Sequence, residues 1–272
     1  MRLPECRVVL TGASGGIGLQ LAEQLCAAGA LVIAVSRQSD ALADLLKRYP
    51  NKLRWLGADL REPEARQRIV EKARAMGGAM GGANLLINAA GINRFALLDQ
   101  LDEAALDDLI DLNLKATLHL TRQMLPLLRE QSQALVVNVG STYGSIGYPG
   151  YATYCATKFA LRGFSEALRR ELADTPVDVL YVAPRATRTS MNSDAAVALN
   201  DALKVGMDDP RDVASAVLQA IQNNRSELYL GWPEKLFVRL NGMLPGLVDR
   251  ALRKQLPLIR RYSDANHKEH AK

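Results

Sequence analysis

The amino-acid sequence predicts an α/β protein, a doubly wound parallel sheet of about seven strands with helices on both faces and a C-terminal helical appendage. Short apolar runs rich in Val, Ile and Leu alternate with longer stretches of helical spacing. The runs are nearly continuous, which is typical of strands covered on both faces. With 272 residues, 48% of them hydrophobic, the chain is long enough to bury one substantial core.

The strand-like runs follow one another with a helical pattern after each of them. In order they are CRVVLTG, LVIAVSR, KLRWLGADL, NLLINAAG, QALVVNVGS, VDVLYVAP and SELYLGW. The longer helical stretches are GIGLQLAEQLCAAGA, EPEARQRIVEKARAM, residues 102–130, residues 151–173 and DPRDVASAVLQAIQNN. Strands that alternate with helices in this way form parallel sheets. We therefore predict one domain over residues 1–230.

A basic extension follows this domain over residues 231–262. From Gly231 onwards the chain holds nine Lys or Arg and four acids, and 9 − 4 = +5 equals the net charge of the whole chain. We predict two short amphipathic helices bounded by prolines in the extension, and a disordered tail over residues 263–272. The extension could pack on a partner subunit or on its own body, cap a substrate pocket, or lie on an anionic membrane surface.

Composition excludes several classes of function. The first 230 residues are neutral, which argues against a nucleic-acid partner, because that activity needs a basic face. No run of about 18 apolar residues occurs, so we expect no membrane-spanning helix. Cys6, Cys26 and Cys155 are odd in number and lack metal-type pairing. They are typical of free thiols in a reducing compartment, so we expect no metal and a cytoplasmic protein, with peripheral membrane contact open through the extension.

A glycine-rich stretch, TGASGGIG at 11–18, lies between the first strand and the first helix. Gly12 would permit a tight turn, Gly16 would let the backbone approach a pyrophosphate, and Gly18 would let helix and strand pack closely. The N–H groups at the start of the helix would bind the anion. Such turns can also serve conformation alone. The place of this one after the first strand favours a dinucleotide site.

The end of the second strand, AVSRQSD, indicates which dinucleotide is preferred. A site for NAD usually has an acid there to bind the ribose 2′-hydroxyl, whereas this chain has Ser36 and Arg37. A guanidinium and a hydroxyl would bind a 2′-phosphate instead. We predict NADP(H) as the preferred cofactor. NAD(H) stays an alternative, because Asp40 could turn toward a ribose.

With these elements, the chain resembles the short-chain dehydrogenase/reductase family over about residues 5–230, which implies a Rossmann fold. TGASGGIG is similar to the family's TGxxxGxG loop, ADL at 58–60 to its adenine contact, and NAAG at 88–91 to the turn after its fourth strand. DLNL carries Asn113, YCATK is a YxxxK pair, and Ser141 precedes its Tyr by thirteen residues. The implied and predicted cofactor-binding residues are Gly12, Ser14, Gly16, Ile17, Gly18, Ser36, Arg37, Asp59, Leu60, Asn88, Ala89, Gly91, Tyr154, Lys158, Pro184, Thr187 and Thr189.

The resemblance implies four catalytic residues. Tyr154, the one tyrosine with a Lys four residues later, would be the general acid or base. A phenol ordinarily has a pKa of about 10. Lys158, one helical turn away, would lower that pKa together with the oxidised nicotinamide. Ser141 would bind the substrate oxygen, and Asn113 would hold a water in the proton relay.

One position departs from the family pattern. The family usually reads PG and then Thr after the sixth strand, whereas this chain reads APRATRTSMN, with Arg185 in place of Gly. Arg would be strained there if the position needs a left-handed backbone. Alternatively, Arg185 or Arg188 could reach an anionic group of substrate or cofactor, or both could be solvated. Residues 187–205 are predicted to form a mobile lid with an apolar wall of Met191, Val197, Leu199 and Leu203.

These observations together predict an NADPH-dependent oxidoreductase that reduces a ketone or aldehyde, or oxidises the alcohol in reverse, on an apolar small-molecule substrate. An NAD-dependent alcohol dehydrogenase is one alternative. A protein that senses a dinucleotide without turning it over is another. By resemblance, the helices at 102–130 and 151–173 would pair in a homodimer or homotetramer.

Overall fold

A single parallel sheet forms the centre of the protein. The computed structural model describes residues 1–78 and 81–270. The seven strands lie in the order β3-β2-β1-β4-β5-β6-β7, and every neighbouring pair is parallel. They are β1 (Arg7–Thr11), β2 (Leu31–Ser36), β3 (Leu53–Gly57), β4 (Leu85–Asn88), β5 (Ala134–Val139), β6 (Val177–Ala183) and β7 (Glu227–Tyr229). The predicted fold class is confirmed.

Helices cover the sheet and continue beyond it at the C-terminal end. They are α1 (Gly16–Ala27), α2 (Ala43–Arg48), α3 (Pro63–Arg74), α4 (Glu103–Ile110), α5 (Thr117–Arg129), α6 (Ala152–Glu171), α7 (Asp194–Ala202), α8 (Pro210–Gln222), α9 (Glu234–Met243) and α10 (Pro245–His270). A π-helical turn, Asp111–Ala116, joins α4 to α5, and a 3-10 turn, Thr142–Gly144, follows β5.

Two apolar cores lie on opposite faces of the sheet, because successive side chains of a strand point in opposite directions. Val8 and Leu10 of β1 pack with α1 and α8 in the first core, and Val9 packs with α3, α5 and α6 in the second. All three side chains are buried completely. Burial on both faces explains why the strands are nearly uninterrupted apolar runs in the sequence.

The strand order reverses next to β1, whose neighbours are β2 and β4. Crevices that bind ligands in such sheets open at the carboxyl ends of the strands around this reversal. Gly12 follows β1 there, and Ala89 to Gly91 follow β4. The topology therefore brings the glycine-rich loop and the NAAG turn together.

The C-terminal extension is helical beyond the point that the sequence predicts. We expected a disordered tail from residue 263, but α10 continues through Pro257 to His270. Its inner face is held by the body: Ser263 Oγ donates to Gln100 Oε1 at 2.6 Å and accepts from the Leu97 N–H at 3.1 Å. Asn266 Nδ2 donates to the Phe95 carbonyl at 2.9 Å. Residues 271 and 272 lie outside the described residues, and the domain boundary at 230 stays a prediction.

Candidate active site

The glycine-rich loop is shaped by close backbone approaches. Gly12 has φ +66°, and a Cβ there would lie 2.6 Å from the Ala89 carbonyl oxygen. A Cβ on Gly18 would clash with the carbonyl oxygen of Gly12. On Gly16 it would lie 2.5 Å from the Thr189 methyl group. Side chains are thus excluded at three predicted positions, and Thr189 lies directly beside the loop.

The start of α1 fits the pyrophosphate of a dinucleotide. Its N-cap is Gly15, and no side chain caps the helix. The N–H groups of the first turn, which includes Ile17, could therefore bind an anion. Ser14 is exposed at the edge of this loop. Thr11, which the sequence analysis did not single out, accepts the N–H groups of Ala89 and Ala90 at 3.1 and 3.2 Å.

At the end of β2, Ser36 and Arg37 differ in whether their side chains are accessible to a cofactor. The Ser36 hydroxyl is nearly buried, accepts from Trp55 Nε1 at 3.0 Å and donates to the Gln38 carbonyl at 2.6 Å. Arg37 is exposed, and its guanidinium has no ion-pair partner within the described part of the chain. Arg37, rather than Ser36, is the group at this strand end that can bind a 2′-phosphate. Trp55 was missed because only the tertiary fold brings β3 beside Ser36.

The predicted adenine contact, Asp59, is already bound by a neighbouring arginine. Arg61 Nη2 lies 2.6 Å from Asp59 Oδ2, and the Arg61 N–H also donates to this carboxylate at 3.0 Å. These hydrogen bonds lower the pKa of Asp59. Arg61 Nη1 also pairs with Asp108 Oδ1 at 2.5 Å. The side chain of Leu60, the other predicted residue here, is buried. Asp59 is therefore held in a fixed, ionised form at the edge of the crevice.

Ser141 and Tyr154 meet where β5 and α6 converge. Ser141 Oγ accepts the Tyr143 N–H at 3.1 Å, which fixes the turn after β5, and Tyr181 Oη donates to the Ser141 carbonyl at 3.2 Å. Burial raises the pKa of Tyr154 to about 12, and its hydrogen bond with Ser141 offsets only part of that rise. The lowering of this pKa by Lys158 together with the oxidised nicotinamide stays a prediction, because it requires the bound cofactor.

Lys158 lies one turn further along α6 and is buried. Its Nζ is 5.5 Å from the centre of the Tyr154 ring and donates to the Val139 carbonyl at 3.1 Å. Burial lowers the pKa of Lys158 to about 8. At neutral pH the ammonium therefore lies beside the phenol, close to the limit at which it would lose its proton.

Asn113 lies in the π-helical turn between α4 and α5, a feature common at functional sites. Its Oδ1 accepts the Ile92 N–H at 2.8 Å and its Nδ2 donates to the Ile92 carbonyl at 2.9 Å. A Cβ on Gly91 would lie 3.1 Å from Asn113 Oδ1 and 3.8 Å from Lys158 Nζ. The turn after β4, the π-helical turn and α6 thus meet at the Lys158 ammonium.

Asn88 belongs to a buried polar chain. Its Nδ2 donates to Thr121 Oγ1 at 3.0 Å and to Asn138 Oδ1 at 2.9 Å. Asn138 Nδ2 in turn donates to Ser165 Oγ at 2.9 Å. The side chain of Asn88 therefore joins β4 to α5 and β5 in the interior, and Asn138 continues the chain to α6.

Arg185 forms ion pairs that none of the hypotheses for the departure after β6 includes. Its backbone is not left-handed, so no strain arises. Its guanidinium pairs with Asp208 at 2.7 Å and with Glu234 at 3.3 Å, so it is not a freely solvated side chain. It joins the segment before α8 to the start of α9. Arg188 is exposed and donates to the Met207 carbonyl at 2.8 Å.

The loop around Arg185 connects the two halves of the site. The Pro184 carbonyl accepts the Thr142 N–H at 2.9 Å, beside Ser141. Thr187 Oγ1 donates to the Arg185 carbonyl at 2.9 Å. With Thr189 against Gly16, this loop reaches from the catalytic turn to the glycine-rich loop. The predicted lid contains α7, and its mobility stays a prediction.

An aromatic and apolar cluster borders Tyr154. It contains Phe95, Tyr143, Tyr148, Tyr151, Cys155, Ala196, Leu199, Leu203 and Ile259. Leu199 and Leu203 of the predicted wall belong to it, whereas Met191 is exposed. Tyr148 Oη donates to Gln255 Oε1 at 3.1 Å. The extension thus packs on its own body and borders the site through α10. In the sequence, this docking face is indicated by the helical spacing of Leu252, Gln255, Ile259 and Ser263.

With this geometry in view, similarity to known proteins decides the family. The family model described as short chain dehydrogenase matches residues 7–199. The chain belongs to the short-chain dehydrogenase family. The relatives of this short-chain dehydrogenase include the 3-oxoacyl-(acyl-carrier-protein) reductase of Vibrio cholerae, 31% identical over 218 residues that cover 77% of this chain and 86% of that protein.

Two solved structures of short-chain dehydrogenases match this one. The Burkholderia cenocepacia protein, in complex with NADP, has a TM-score of 0.79 and 26% identity over 93% of this chain and 99% of that one. The Burkholderia phymatum protein, in complex with NAD, shares the fold with a TM-score of 0.81 and 22% identity, over 91% and 96% of the two chains. This short-chain dehydrogenase is therefore an oxidoreductase acting on CH–OH or C=O groups with a nicotinamide dinucleotide.

Proposed function

We propose that this short-chain dehydrogenase is an NADPH-dependent reductase of ketones or aldehydes with an apolar small-molecule substrate. The observation that carries the proposal is the convergence of Ser141, Tyr154 and the buried Lys158 ammonium at the junction of β5 and α6. A hydroxyl, a phenol and a cation at one point are suited to the oxygen of a carbonyl group, which gains negative charge during reduction.

In the reductive direction, Tyr154 would act as the acid. A phenol with a pKa of about 12 carries its proton at neutral pH and can donate it to the carbonyl oxygen. Ser141 would donate a hydrogen bond to the same oxygen. The Lys158 ammonium would stabilise the phenolate left behind, and Asn113 would keep the turn at Ile92 in place beside it. The nicotinamide dinucleotide, when bound, supplies the hydride for the carbonyl carbon.

The residues that would hold the cofactor are those that frame the crevice. Gly12, Gly16, Ile17 and Gly18 would hold the pyrophosphate. Thr189, beside Gly16, and Thr187, two residues before it, would contact the nicotinamide half. We infer a preference for NADPH from Arg37 alone, since Ser36 is engaged by Trp55. The exposed guanidinium would pair with the 2′-phosphate.

The aromatic cluster supports an apolar substrate. Tyr143, Tyr148 and Leu203, which are partly exposed members of the cluster, supply apolar surface beside Tyr154. The Vibrio cholerae relative is named for the reduction of 3-oxoacyl groups. A carbonyl on an acyl chain is thus the substrate class to assay first.

The experiment that tests the function compares two tyrosines. Tyr154→Phe should bind NADPH normally yet lose about 10²- to 10⁴-fold in turnover of a 3-oxobutanoyl thioester, because the acid is gone. The matched control is Tyr148→Phe, which loses only the hydroxyl that contacts Gln255 and should keep turnover within a few-fold. Full activity in Tyr154→Phe would overturn the mechanism. NADPH binding with no turnover of any ketone, aldehyde or alcohol would favour a dinucleotide sensor.

A second experiment tests the cofactor preference. Calorimetric titration should show tighter binding of NADPH than of NADH, and Arg37→Ala should weaken NADPH about tenfold or more while leaving NADH unchanged. Arg68→Ala, an exposed arginine on α3, is the control. Equal or tighter binding of NADH by the unmodified protein would instead support an NAD-dependent alcohol dehydrogenase.

The assembly and location are further parts of the proposal. By the family resemblance, α4, α5 and α6 would pair in a homodimer or homotetramer in the cytoplasm. Light scattering that returns only the monomer mass would remove that assembly.

A further inference from the structure

The segment from Trp232 to Leu247 presents an apolar surface that nothing in the described structure covers. Its large exposed side chains are Trp232, Leu236, Phe237, Met243, Leu244 and Leu247, from 43% to 80% exposed. No residue of α9 is buried. We call these six side chains the α9 patch. Exposed apolar surfaces of this kind mark interaction sites.

Polar contacts hold α9 to the body and leave the patch outward. Glu234 at its start pairs with Arg185, and Asn241 Nδ2 donates to the Ser145 carbonyl at 2.9 Å. Leu236 and Met243 lie three residues before and four after Arg239, so the three share one helix face. Arg239 therefore projects from within the apolar patch.

A cationic cavity of about 380 Å³ opens beside this face, between α9 and β7. Its charged lining is four cations and one acid: Arg162, Arg225, Lys235, Arg239 and Glu227. The acid is itself 3.6 Å from Arg169. Arg239 belongs both to the cavity and to the outward face of α9, so the cavity and the patch are continuous.

The outward face of α10 extends the positive charge. Leu247, Arg250, Lys254 and Arg261 follow a spacing of three, four and seven residues, which places them on one face. All four are exposed, whereas Ile259 and Ser263 on the other face are buried against the body. The α9 patch thus passes into a stripe of cations.

We propose that the α9 patch and the outward face of α10 bind the surface of an anionic phospholipid membrane. The apolar side chains would enter the interface, and the cavity would receive lipid phosphate groups. Charge selects this occupant over a second copy of the chain, because a self-interface would bring two cationic surfaces together. In the described residues, no helix is both long and apolar enough to cross a bilayer, so the contact is peripheral.

The position of α10 gives this contact a consequence that rests on the proposed function. The inner face of α10 contributes Gln255 and Ile259 to the cluster beside Tyr154. A membrane on its outer side would thus lie next to the substrate side of the site, where an apolar substrate could pass from lipid to enzyme.

The test is co-sedimentation of the full chain with two kinds of vesicle. We expect binding to equal mixtures of phosphatidylcholine and phosphatidylglycerol that is at least about tenfold stronger than to phosphatidylcholine alone, and that weakens in high salt. The double variant Leu236→Ser/Phe237→Ser should lose most of this binding, and Arg239→Glu should weaken it strongly. Because these side chains are exposed, the variants should keep the NADPH affinity and melting temperature of the unmodified protein.

Matched controls come from the body. Leu98→Ser removes an apolar side chain that is 57% exposed, and Arg68→Glu reverses an exposed charge on α3; neither should alter vesicle binding. Failure to bind anionic vesicles, or equal binding by the double variant, overturns the proposal. So does light scattering in which the double variant turns a larger assembly into a monomer, since the patch would then be a self-interface. NADPH binding and turnover are read separately, so either proposal can fail alone.

Discussion

The body of the fold, as far as Tyr229, and the two helices of the extension bury their apolar side chains to very different degrees. Among the described side chains, nearly all buried apolar residues lie in the body, on both faces of the sheet, and the extension contributes only Val248 and Ile259. In the body, helices cover both faces of the sheet, so the buried side chains pack against other side chains on all sides. The extension packs against the body through one face of α10, and most of its remaining surface is exposed.

The largest effect should come from a glycine of the body. Gly18→Val would place side-chain atoms on the Gly12 carbonyl, and we expect a loss of at least about 4 kcal/mol in unfolding free energy together with loss of NADPH binding. Gly163→Val on α6 is the control, since a Cβ there meets nothing within 4 Å. Urea unfolding measures the stability of both variants, and calorimetric titration measures their NADPH binding. If the two variants were equally stable, the close approach in the loop would be wrong.

The next effect sharpens the contrast within α10 itself. Ile259→Ala should lower the free energy of unfolding by about 2–4 kcal/mol, because the side chain is wholly buried beside the aromatic cluster. Leu247→Ala, in the same helix but 58% exposed, should change it by less than about 0.5 kcal/mol. Thermal unfolding compares the two. Equal losses would show that α10 does not dock on the body as described.

The buried cation of the body predicts a pH dependence. Lys158 keeps its proton below pH 8 and loses it above, so kcat/KM for reduction should be level at lower pH and fall about tenfold per pH unit above 8. Tyr154, with a pKa near 12, stays protonated across this range. Lys158→Arg should move the fall to higher pH, because guanidinium remains charged. A profile that is unchanged in this variant would assign the ionisation to another group.

The same group has a consequence for stability. Between the folded pKa of about 8 and the ordinary value of 10.5, the unfolded chain holds the proton more tightly. On account of Lys158, stability should therefore rise with pH across that window, and Lys158→Met should remove the slope.

The smallest effect concerns the connection between the two parts. Arg185→Gly, which introduces the residue usual in the family, breaks the pairs with Asp208 and Glu234. The guanidinium is about one-fifth exposed, so we expect a loss of about 1 kcal/mol, seen as a small fall in melting temperature and faster proteolysis at α9. An unchanged rate of cleavage at α9 would mean that Arg185 does not anchor it.

The features that could be predicted from sequence are local ones. A strand buried on both faces must be apolar throughout, so the seven runs indicated the sheet before its order was known. The glycine-rich loop follows from backbone conformation over eight residues. Tyr154 and Lys158 are neighbours because one turn of any helix brings residues four apart together. A basic, amphipathic extension was likewise visible in composition and spacing alone.

What tertiary structure alone decided were contacts between residues distant in the chain. Trp55 donates a hydrogen bond to Ser36, and Arg185 forms an ion pair with Glu234. Asn266 donates a hydrogen bond to the Phe95 carbonyl. The shift of the Tyr154 pKa also depends on how far the fold removes the phenol from water. The order of α10 beyond residue 263 came from partners near residue 100. Sequence spacing determines which side chains share a helix face or a strand face, but burial and pairing depend on what the folded chain places opposite them.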